Sequence, residues 1–257
     1  MRFSFAVFLL ASVGVAFSQK PTNSTKPSIV LVHGALADGS SWSDVITQLQ
    51  ARKYENVWAV QQPLSSIPND IAKVNEALDW IPGPVVLVGH SFGGMVVTNA
   101  GNHPKVKALV YVSAFTPDEG ETVASMSQGF PPVPSAQVYQ QDKQGRFYLK
   151  PSDFHKYFCP DLPRAKSNLL AAVQGLTDLS RFEWKSGPAA WKTKPSYVVV
   201  SGKDQIIPPQ LLAAGAKKIN PKKVLTLPRA SHATPFTAST KITKLIVEAA
   251  EAVAQDN

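Results

Sequence analysis

Residues 85–95 constrain the fold of this chain more than any other stretch. A valine-rich apolar run ends in Gly-His-Ser-Phe-Gly, and a run compatible with a helix follows. This is the G-x-S-x-G pattern in the order strand, sharp turn and helix, and we call residues 89–93 the serine turn. Its first and last residues must be glycine because a Cβ there would collide where strand and helix pass close together. The pattern predicts a strained Ser91 whose hydroxyl stands over the end of a strand.

The helix after Ser91 would direct its free N–H groups and its positive dipole end toward negative charge that develops beside the serine. A serine hydroxyl held in this way is a candidate nucleophile. Glycine-rich turns also join strands to helices in α/β proteins that carry out no chemistry. The pattern therefore needs partners elsewhere in the chain.

Other apolar runs of strand length lie on both sides of the serine turn. Near-continuous apolar runs separated by helices of about ten residues are typical of a parallel sheet covered on both faces. The predicted strands are residues 28–32, 56–60, 85–88, 106–114, 197–200 and 224–227. The predicted helices are residues 42–53, 70–80, 94–99 and 237–254, and residues 61–68, with two prolines, are predicted to be a loop.

Residues 116–194, which we call the insertion, follow a different pattern of prolines, aromatic side chains and short amphipathic pieces such as 161–174. They lie between two predicted strands of one sheet, so we expect them above the strand ends. Because both ends return to neighbouring strands and their own core would be small, a lid is predicted rather than a second domain. Its aromatic side chains either line an apolar pocket or pack the lid down.

The N-terminus has the features of a signal peptide. Arg2 precedes the apolar run 3–17, and Ala16 and Ser18 have the small-residue spacing of a signal peptidase site. The apolar run is too short to span a bilayer comfortably. Residues 1–18 are therefore predicted to be removed, which leaves a secreted, extracellular protein without membrane insertion.

The mature chain would begin with a flexible, polar leader, residues 19–27, followed by one domain over residues 28–257. A chain of 257 residues with 44% hydrophobic content can bury a substantial core. Asn23 begins an Asn-Ser-Thr sequon in the leader, where a glycan could be attached without contacting the fold.

The formal net charge is +8 at pH 7, but the lysines are scattered and are not interleaved with aromatic residues as in a nucleic-acid groove. We expect a solvated basic surface, no nucleic-acid partner, and a monomer or homodimer.

The single cysteine, Cys159, allows no internal disulfide. It is interpreted as a small buried apolar residue; the alternatives are a reactive thiol or a disulfide between two chains.

A serine nucleophile needs a base to accept its proton, and the base needs an acidic group that fixes its tautomer. His232 lies in the loop between the last predicted strand and the closing helix, at the rim where Ser91 also lies, and is the candidate base. His90 is next to Ser91 but cannot fold back onto its hydroxyl. The other histidines are interpreted as one turn residue, His33, and two surface residues, His103 and His155.

Asp204 follows the strand 197–200 and is the preferred acid, because the chain order Ser, Asp, His is then the one this arrangement uses. The alternative acid is Asp118, just past the preceding strand, from which a carboxylate can reach the same histidine. Chemistry at a carbonyl also needs an oxyanion hole. The candidate donors are the backbone N–H groups of Phe92 and Ala35.

In this order, the motifs resemble those of lidded α/β-hydrolases, above all the group of plant methylesterases, salicylate-binding esterases, hydroxynitrile lyases and related bacterial and fungal hydrolases. The matching stretches are residues 30–35 with Trp42, 88–95, 112–118, 204–208 and 231–233. The resemblance implies an α/β-hydrolase fold: a mainly parallel six-stranded sheet covered by helices on both faces, with a helical lid. It assigns Ser91, Asp204 and His232 to a catalytic triad, and Ala35 and Phe92 to the oxyanion hole.

The hydroxynitrile lyases of this group carry a hydroxyl residue near the oxyanion loop and a lysine directly after the catalytic histidine. In this chain the first of these positions is Ala35 and the second is Ala233, so the sequence departs from the lyases at both. Relatives that act on epoxides or carbon–halogen bonds carry aspartate in place of Ser91. The sequence therefore predicts a serine esterase that cleaves small-molecule carboxylic esters through an acyl-enzyme, without metal or organic cofactor. The alternatives are a lyase, a cofactor-free oxygenase or perhydrolase, and a non-catalytic small-molecule binder.

Overall fold

The computed structural model describes residues 26–255. The predicted signal peptide, nearly all of the predicted leader and the Asn23 sequon lie outside these residues. The first half of the fold consists of β1 (Ser28–Val32), α1 (Ser43–Ala51), β2 (Val57–Val60), α2 (Ile67–Trp80), β3 (Val85–His90), α3 (Gly93–Ala100) and β4 (Val106–Val112). The insertion contains α4 (Val123–Ser127), β5 (Gln140–Gln141), β6 (Arg146–Tyr148), α5 (Pro151–Asp153), α6 (Arg164–Ala172) and β7 (Thr177–Asp178). The chain ends with β8 (Ser196–Ser201), α7 (Pro209–Ile219), β9 (Lys223–Leu227), α8 (Thr234–Thr237) and α9 (Ser239–Gln255).

Six strands form one parallel sheet in the order β2-β1-β3-β4-β8-β9. This confirms the predicted six-stranded sheet. Side chains alternate between the two faces, so that in β3 Val85 and Leu87 join one hydrophobic cluster while Val86 and Val88 join the other. Because all strands run in parallel, the loops that follow them lie along one edge of the sheet.

Helices cover both faces of the sheet, as predicted. On one face α1 packs against α9, whose buried side chains recur at helical spacing: Ile242, Leu245, Ile246, Ala249, Ala250 and Val253. On the other face α2 packs against α3, and α7 contributes Leu211, Leu212 and Ile219 to the same cluster. Among residues 26–255, no helix has the length and apolar character needed to cross a membrane.

Helix α2 begins earlier than predicted, at Ile67 rather than at residue 70, so part of the predicted loop 61–68 is helical. The Ser66 side chain caps the helix by accepting a hydrogen bond from the Asn69 N–H at 3.3 Å. Pro68 lies in the first turn, where its missing N–H leaves no hydrogen bond unmade. The proline therefore marks the start of the helix rather than a loop.

The insertion contains more than the predicted helices. Strands β5, β6 and β7 form a small antiparallel sheet, which sequence analysis missed because each strand has only two or three residues. The amphipathic piece predicted at 161–174 is helical only over Arg164–Ala172. Insertion side chains such as Phe147 and Phe154 share a hydrophobic cluster with the sheet. A buried ion pair at 2.5 Å, between Arg181 and Asp70 of α2, also joins the insertion to the core.

The glycines of the serine turn sit where strand and helix backbones nearly touch. A Cβ on Gly89 would lie 2.8 Å from the Gly93 carbonyl oxygen, and one on Gly93 would lie 2.6 Å from the Val32 carbonyl oxygen. Ser91 has the predicted strained backbone, with φ of 56°. Gly94, the first residue after the serine turn, has even less space beside it. A Cβ added there would lie 2.0 Å from the Phe115 carbonyl oxygen.

We therefore predict that Gly94→Ala destabilises the protein by more than about 3 kcal/mol or prevents folding, because the opposing atom is backbone and cannot move aside. Gly120→Ala is the control: its Cβ would meet nothing within 4 Å, and only its positive φ of 81° opposes the change, at roughly 1–2 kcal/mol. Urea unfolding midpoints measure both. Equal midpoints for the two variants would contradict the close approach.

Candidate active site

The predicted site residues follow four different strands and meet at one edge of the sheet. Ala35 follows β1, Ser91 follows β3, Asp204 follows β8 and His232 follows β9. Each is buried, with at most 8% of its surface exposed. The parallel sheet therefore gathers residues that lie far apart in the sequence.

Backbone hydrogen bonds hold Ser91 in its strained conformation. Its N–H donates to the Val112 carbonyl at 3.2 Å, at the end of the neighbouring strand β4. Its carbonyl accepts from the N–H groups of Gly94 at 3.0 Å and Phe115 at 3.2 Å. The serine turn is thus fixed to β4 and to its own helix.

Asp204 and His232 form a buried pair in which the Asp204 Oδ2 lies 2.7 Å from the His232 Nδ1. The other carboxylate oxygen accepts from the N–H groups of Ile206 and Ile207, each at 2.9 Å, and the Ser201 hydroxyl donates to Oδ2 at 2.8 Å. Burial alone would raise the pKa of Asp204, but His232 and the hydrogen bonds from the Ile206 and Ile207 N–H groups outweigh it and lower the pKa. The ionised carboxylate therefore favours a proton on Nδ1, which leaves the Nε2 of a neutral ring able to accept one.

The His232 Nε2 is buried and has no hydrogen-bond partner among the described residues, so it is not bonded to the Ser91 hydroxyl in this structure. Such bonds often form fully only when substrate binds. His232 does lie against the serine turn, because its ring centroid is 4.7 Å from that of His90. The structure thus brings the His232 ring beside the residue that precedes Ser91.

His90 has a role that the sequence did not reveal. Its Nε2 lies 2.9 Å from the His232 carbonyl oxygen, 142 residues away in the chain. Burial first, and then the neighbouring His232, lower the pKa of His90 to about 3, so the ring is neutral at pH 7. Since a carbonyl can only accept, Nε2 carries the proton and donates it. His90 thus holds the backbone of His232.

The structure does not place the alternative acid, Asp118, beside His232. Its carboxylate pairs with the Lys192 ammonium at 2.5 Å, and about a third of its side chain is exposed. The two histidines predicted at the surface, His103 and His155, are both partly exposed. The His103 side chain is 15% exposed, and its Nε2 lies 3.2 Å from the Oδ1 of the exposed Asp79.

The loop with the other predicted oxyanion donor, Ala35, packs directly against the serine. A Cβ on Gly34 would lie 2.6 Å from the Ser91 Cβ, so only glycine fits there. His33 fixes this loop by accepting a hydrogen bond from the Gln62 N–H at 3.1 Å, and burial lowers its pKa to about 4. The turn role predicted for His33 therefore agrees with its contacts.

A cavity of about 370 Å³ opens beside Ser91, and both Ala35 and Phe92 line it. No Asp, Glu, Lys, Arg or His lines it, and burial raises the pKa of its one tyrosine, Tyr139, to about 12, so the wall is uncharged at neutral pH. Aromatic rings form much of the wall: Phe92, Phe115, Phe130, Tyr139, Phe147 and Phe182. Several aromatic residues of the insertion therefore line a pocket, whereas Phe154 and Phe158 pack on each other at 4.6 Å.

Cys159 is buried, as predicted, and its thiol lies 3.2 Å from the Ser167 hydroxyl. Burial raises the pKa of Cys159 to about 11, so it stays protonated at neutral pH and is a poor nucleophile. The described residues contain no group of three or more His, Cys, Asp or Glu side chains placed to hold a metal ion.

Three known proteins illustrate what the chain is similar to. A carbendazim hydrolyzing esterase from a Nocardioides species is 37% identical over 90 residues, which cover 34% of this chain and 35% of that protein. The alpha/beta hydrolase nvfD of Aspergillus novofumigatus is 23% identical over 76% of this chain and 85% of its own length. A pyrethroid hydrolase from Sphingobium faniae has a similar structure, with a TM-score of 0.73 and 21% identity over 89% of this chain and 99% of that one.

At 21% identity, the structural likeness shows the fold alone. The first of these relatives is matched over only about a third of its length, 35%. A sequence model of one family, the alpha/beta hydrolase family, matches residues 29–242, which is most of the chain. The protein therefore belongs to the alpha/beta hydrolase family.

Proposed function

We propose that this protein is a serine esterase that cleaves carboxylic esters of small molecules through an acyl-enzyme. The observation that carries the proposal is the buried 2.7 Å contact between Asp204 and His232, at the edge where Ser91 stands with a positive φ. An ionised carboxylate on Nδ1 prepares the opposite nitrogen to accept a proton from a serine hydroxyl. The partial match to a carbendazim hydrolyzing esterase supports hydrolysis.

The reaction would proceed in two halves. His232 accepts the Ser91 proton while Oγ attacks the ester carbonyl, and the N–H groups of Phe92 and Ala35 stabilise the negative oxygen. His232 then gives the proton to the leaving alcohol, and an acyl group remains on Ser91. In the second half His232 takes a proton from water, which attacks the acyl-enzyme carbonyl. The bond from the acyl carbon to the Ser91 Oγ then breaks, His232 returns the proton to Oγ, and the acid is released.

The cavity beside Ser91 indicates which esters fit. Its volume of about 370 Å³ is within the range of small-molecule sites, and its wall offers aromatic rings and no charge. An ionised substrate group would lose its hydration there and find no opposite charge. Neutral esters with an apolar or aromatic acyl or alcohol part are therefore the proposed substrates.

The first prediction from this mechanism concerns the acid. Asp204→Asn should lower kcat for a nitrophenyl ester by about 10⁴-fold, because the amide favours the wrong tautomer of His232. Asp118→Asn is the matched control and should keep kcat within a few-fold of wild type, since the Asp118 carboxylate pairs with Lys192.

A further prediction concerns the nucleophile: Ser91→Ala should retain only about 10³- to 10⁴-fold acceleration over water. Wild-type turnover by Ser91→Ala, or an equal loss in Asp118→Asn, would refute these roles.

The second prediction concerns charge in the substrate. 4-Nitrophenyl butyrate and the 4-nitrophenyl monoester of succinic acid have acyl chains of similar length, but the second ends in a carboxylate. We expect kcat/KM to be at least about 100-fold lower for the charged ester, because desolvating a carboxylate costs several kcal/mol. Comparable values for the two esters at neutral pH would show that the acyl chain does not enter this cavity.

Secretion is also proposed, on the basis of Arg2 and the apolar run 3–17. If residues 1–18 are removed on export, the protein collected from the medium of an expressing cell begins at Gln19. N-terminal sequencing of the purified protein measures this directly. A chain found only inside the cell, still beginning at Met1, would contradict secretion and leave the esterase proposal untouched.

A further inference from the structure

The loop that carries His232 is held by the insertion as well as by the sheet. Asp161, 70 residues earlier in the chain, accepts two hydrogen bonds from Ser231, the residue just before His232. The Ser231 N–H lies 3.0 Å from Oδ2, and the Ser231 hydroxyl lies 2.5 Å from Oδ1. One carboxylate therefore receives both donors of a residue that is only 2% exposed.

The same part of the insertion contacts the imidazole itself. Phe158 stands edge-on to His232, with ring centroids 4.9 Å apart, and its own ring stacks on Phe154. The Phe158 carbonyl oxygen also lies 3.3 Å from the Ser231 hydroxyl. Residues 158–161 thus contact the loop that carries His232 through the ring and carbonyl group of Phe158 and the carboxylate of Asp161.

These contacts add to others that hold His232, among them a hydrogen bond from the Thr234 N–H to the His232 carbonyl at 2.8 Å. Asp204 holds Nδ1, and His90 holds the carbonyl group on the C-terminal side of the residue. Asp161 holds the N-terminal side through Ser231. Because Nε2 has no hydrogen-bond partner within the part of the chain that the structure describes, these contacts rather than Ser91 hold the ring before substrate binds.

We propose that Asp161 is a positioning residue for the esterase reaction, acting through Ser231 to keep the His232 imidazole within reach of Ser91. The insertion is then part of the catalytic apparatus as well as a wall of the substrate cavity. A displacement of about 1 Å at a reacting group can cost roughly 10²-fold in rate, so a modest loosening of this loop is enough to matter. The inference rests on the proposed function.

The test is steady-state kinetics on Asp161→Asn, Ser231→Ala and the double variant with 4-nitrophenyl butyrate. Asp161→Asn should lower kcat about 10-fold and leave KM within about twofold, because the uncharged amide is a weaker partner for Ser231 while the cavity is unchanged. Ser231→Ala should have a similar effect. The double variant should lose less than the two single losses combined, because Ser231→Ala removes the hydroxyl contact that Asp161→Asn also weakens, while the contact from the Ser231 N–H is affected only by Asp161→Asn.

Two further variants separate positioning from stability. Asp161→Glu keeps the carboxylate at a surface-exposed position and should restore most of the wild-type kcat. Asp142→Asn is the control: Asp142 also lies in the insertion and accepts hydrogen bonds from backbone N–H groups and from Arg146, but those partners belong to its own turn. The Asp142→Asn substitution should lower Tm and leave kcat unchanged.

The outcomes are distinct. If wild type hydrolyses the ester and folded Asp161→Asn keeps its kcat while only Tm falls, Asp161 merely anchors the insertion and the inference is wrong. Additive losses in the double variant would also overturn it. Absence of hydrolysis by wild type would instead refute the esterase proposal, and the positioning role with it.

Discussion

The buried contact between Asp204 and His232 is the interaction on which the rest of the site depends. A carboxylate in such a place is costly unless its oxygens are satisfied, and here an imidazole, a hydroxyl and two backbone N–H groups satisfy them. The loops after β8 and β9 bring these groups together because the two strands are parallel neighbours. The tautomer of His232, and hence its fitness as a base, follows from this one contact.

Close backbone approach is the second constraint. The serine turn fits between β1, β4 and α3 only because the residues at its two ends are glycines, which have no Cβ. The loop after β1 reaches Ser91 because Gly34 also has no Cβ. This compactness brings His90 beside His232 and Ala35 beside Ser91. The insertion then covers the edge, where it supplies the aromatic cavity wall and the carboxylate that holds Ser231.

Much of this arrangement follows from local sequence. Apolar runs locate the strands, and residues just past strand ends, such as Ser91 and Asp204, are brought to one edge by any parallel sheet. Contacts between distant segments are not encoded locally. The pairing of β6 with β7, the hydrogen bond from His90 to His232 and the hold of Asp161 on Ser231 each join residues many positions apart. The start of α2 was missed because Pro68 suits a loop and a first helical turn equally well.

We propose that this fold makes one serine, Ser91, reactive. The most direct measurement is the reaction of the folded protein with a fluorophosphonate, followed by mass spectrometry of its peptides. We expect one adduct per chain, on Ser91, and loss of esterase activity in proportion to labelling. A folded protein whose Ser91 stays unmodified, or which is inactivated by an adduct elsewhere, would contradict it.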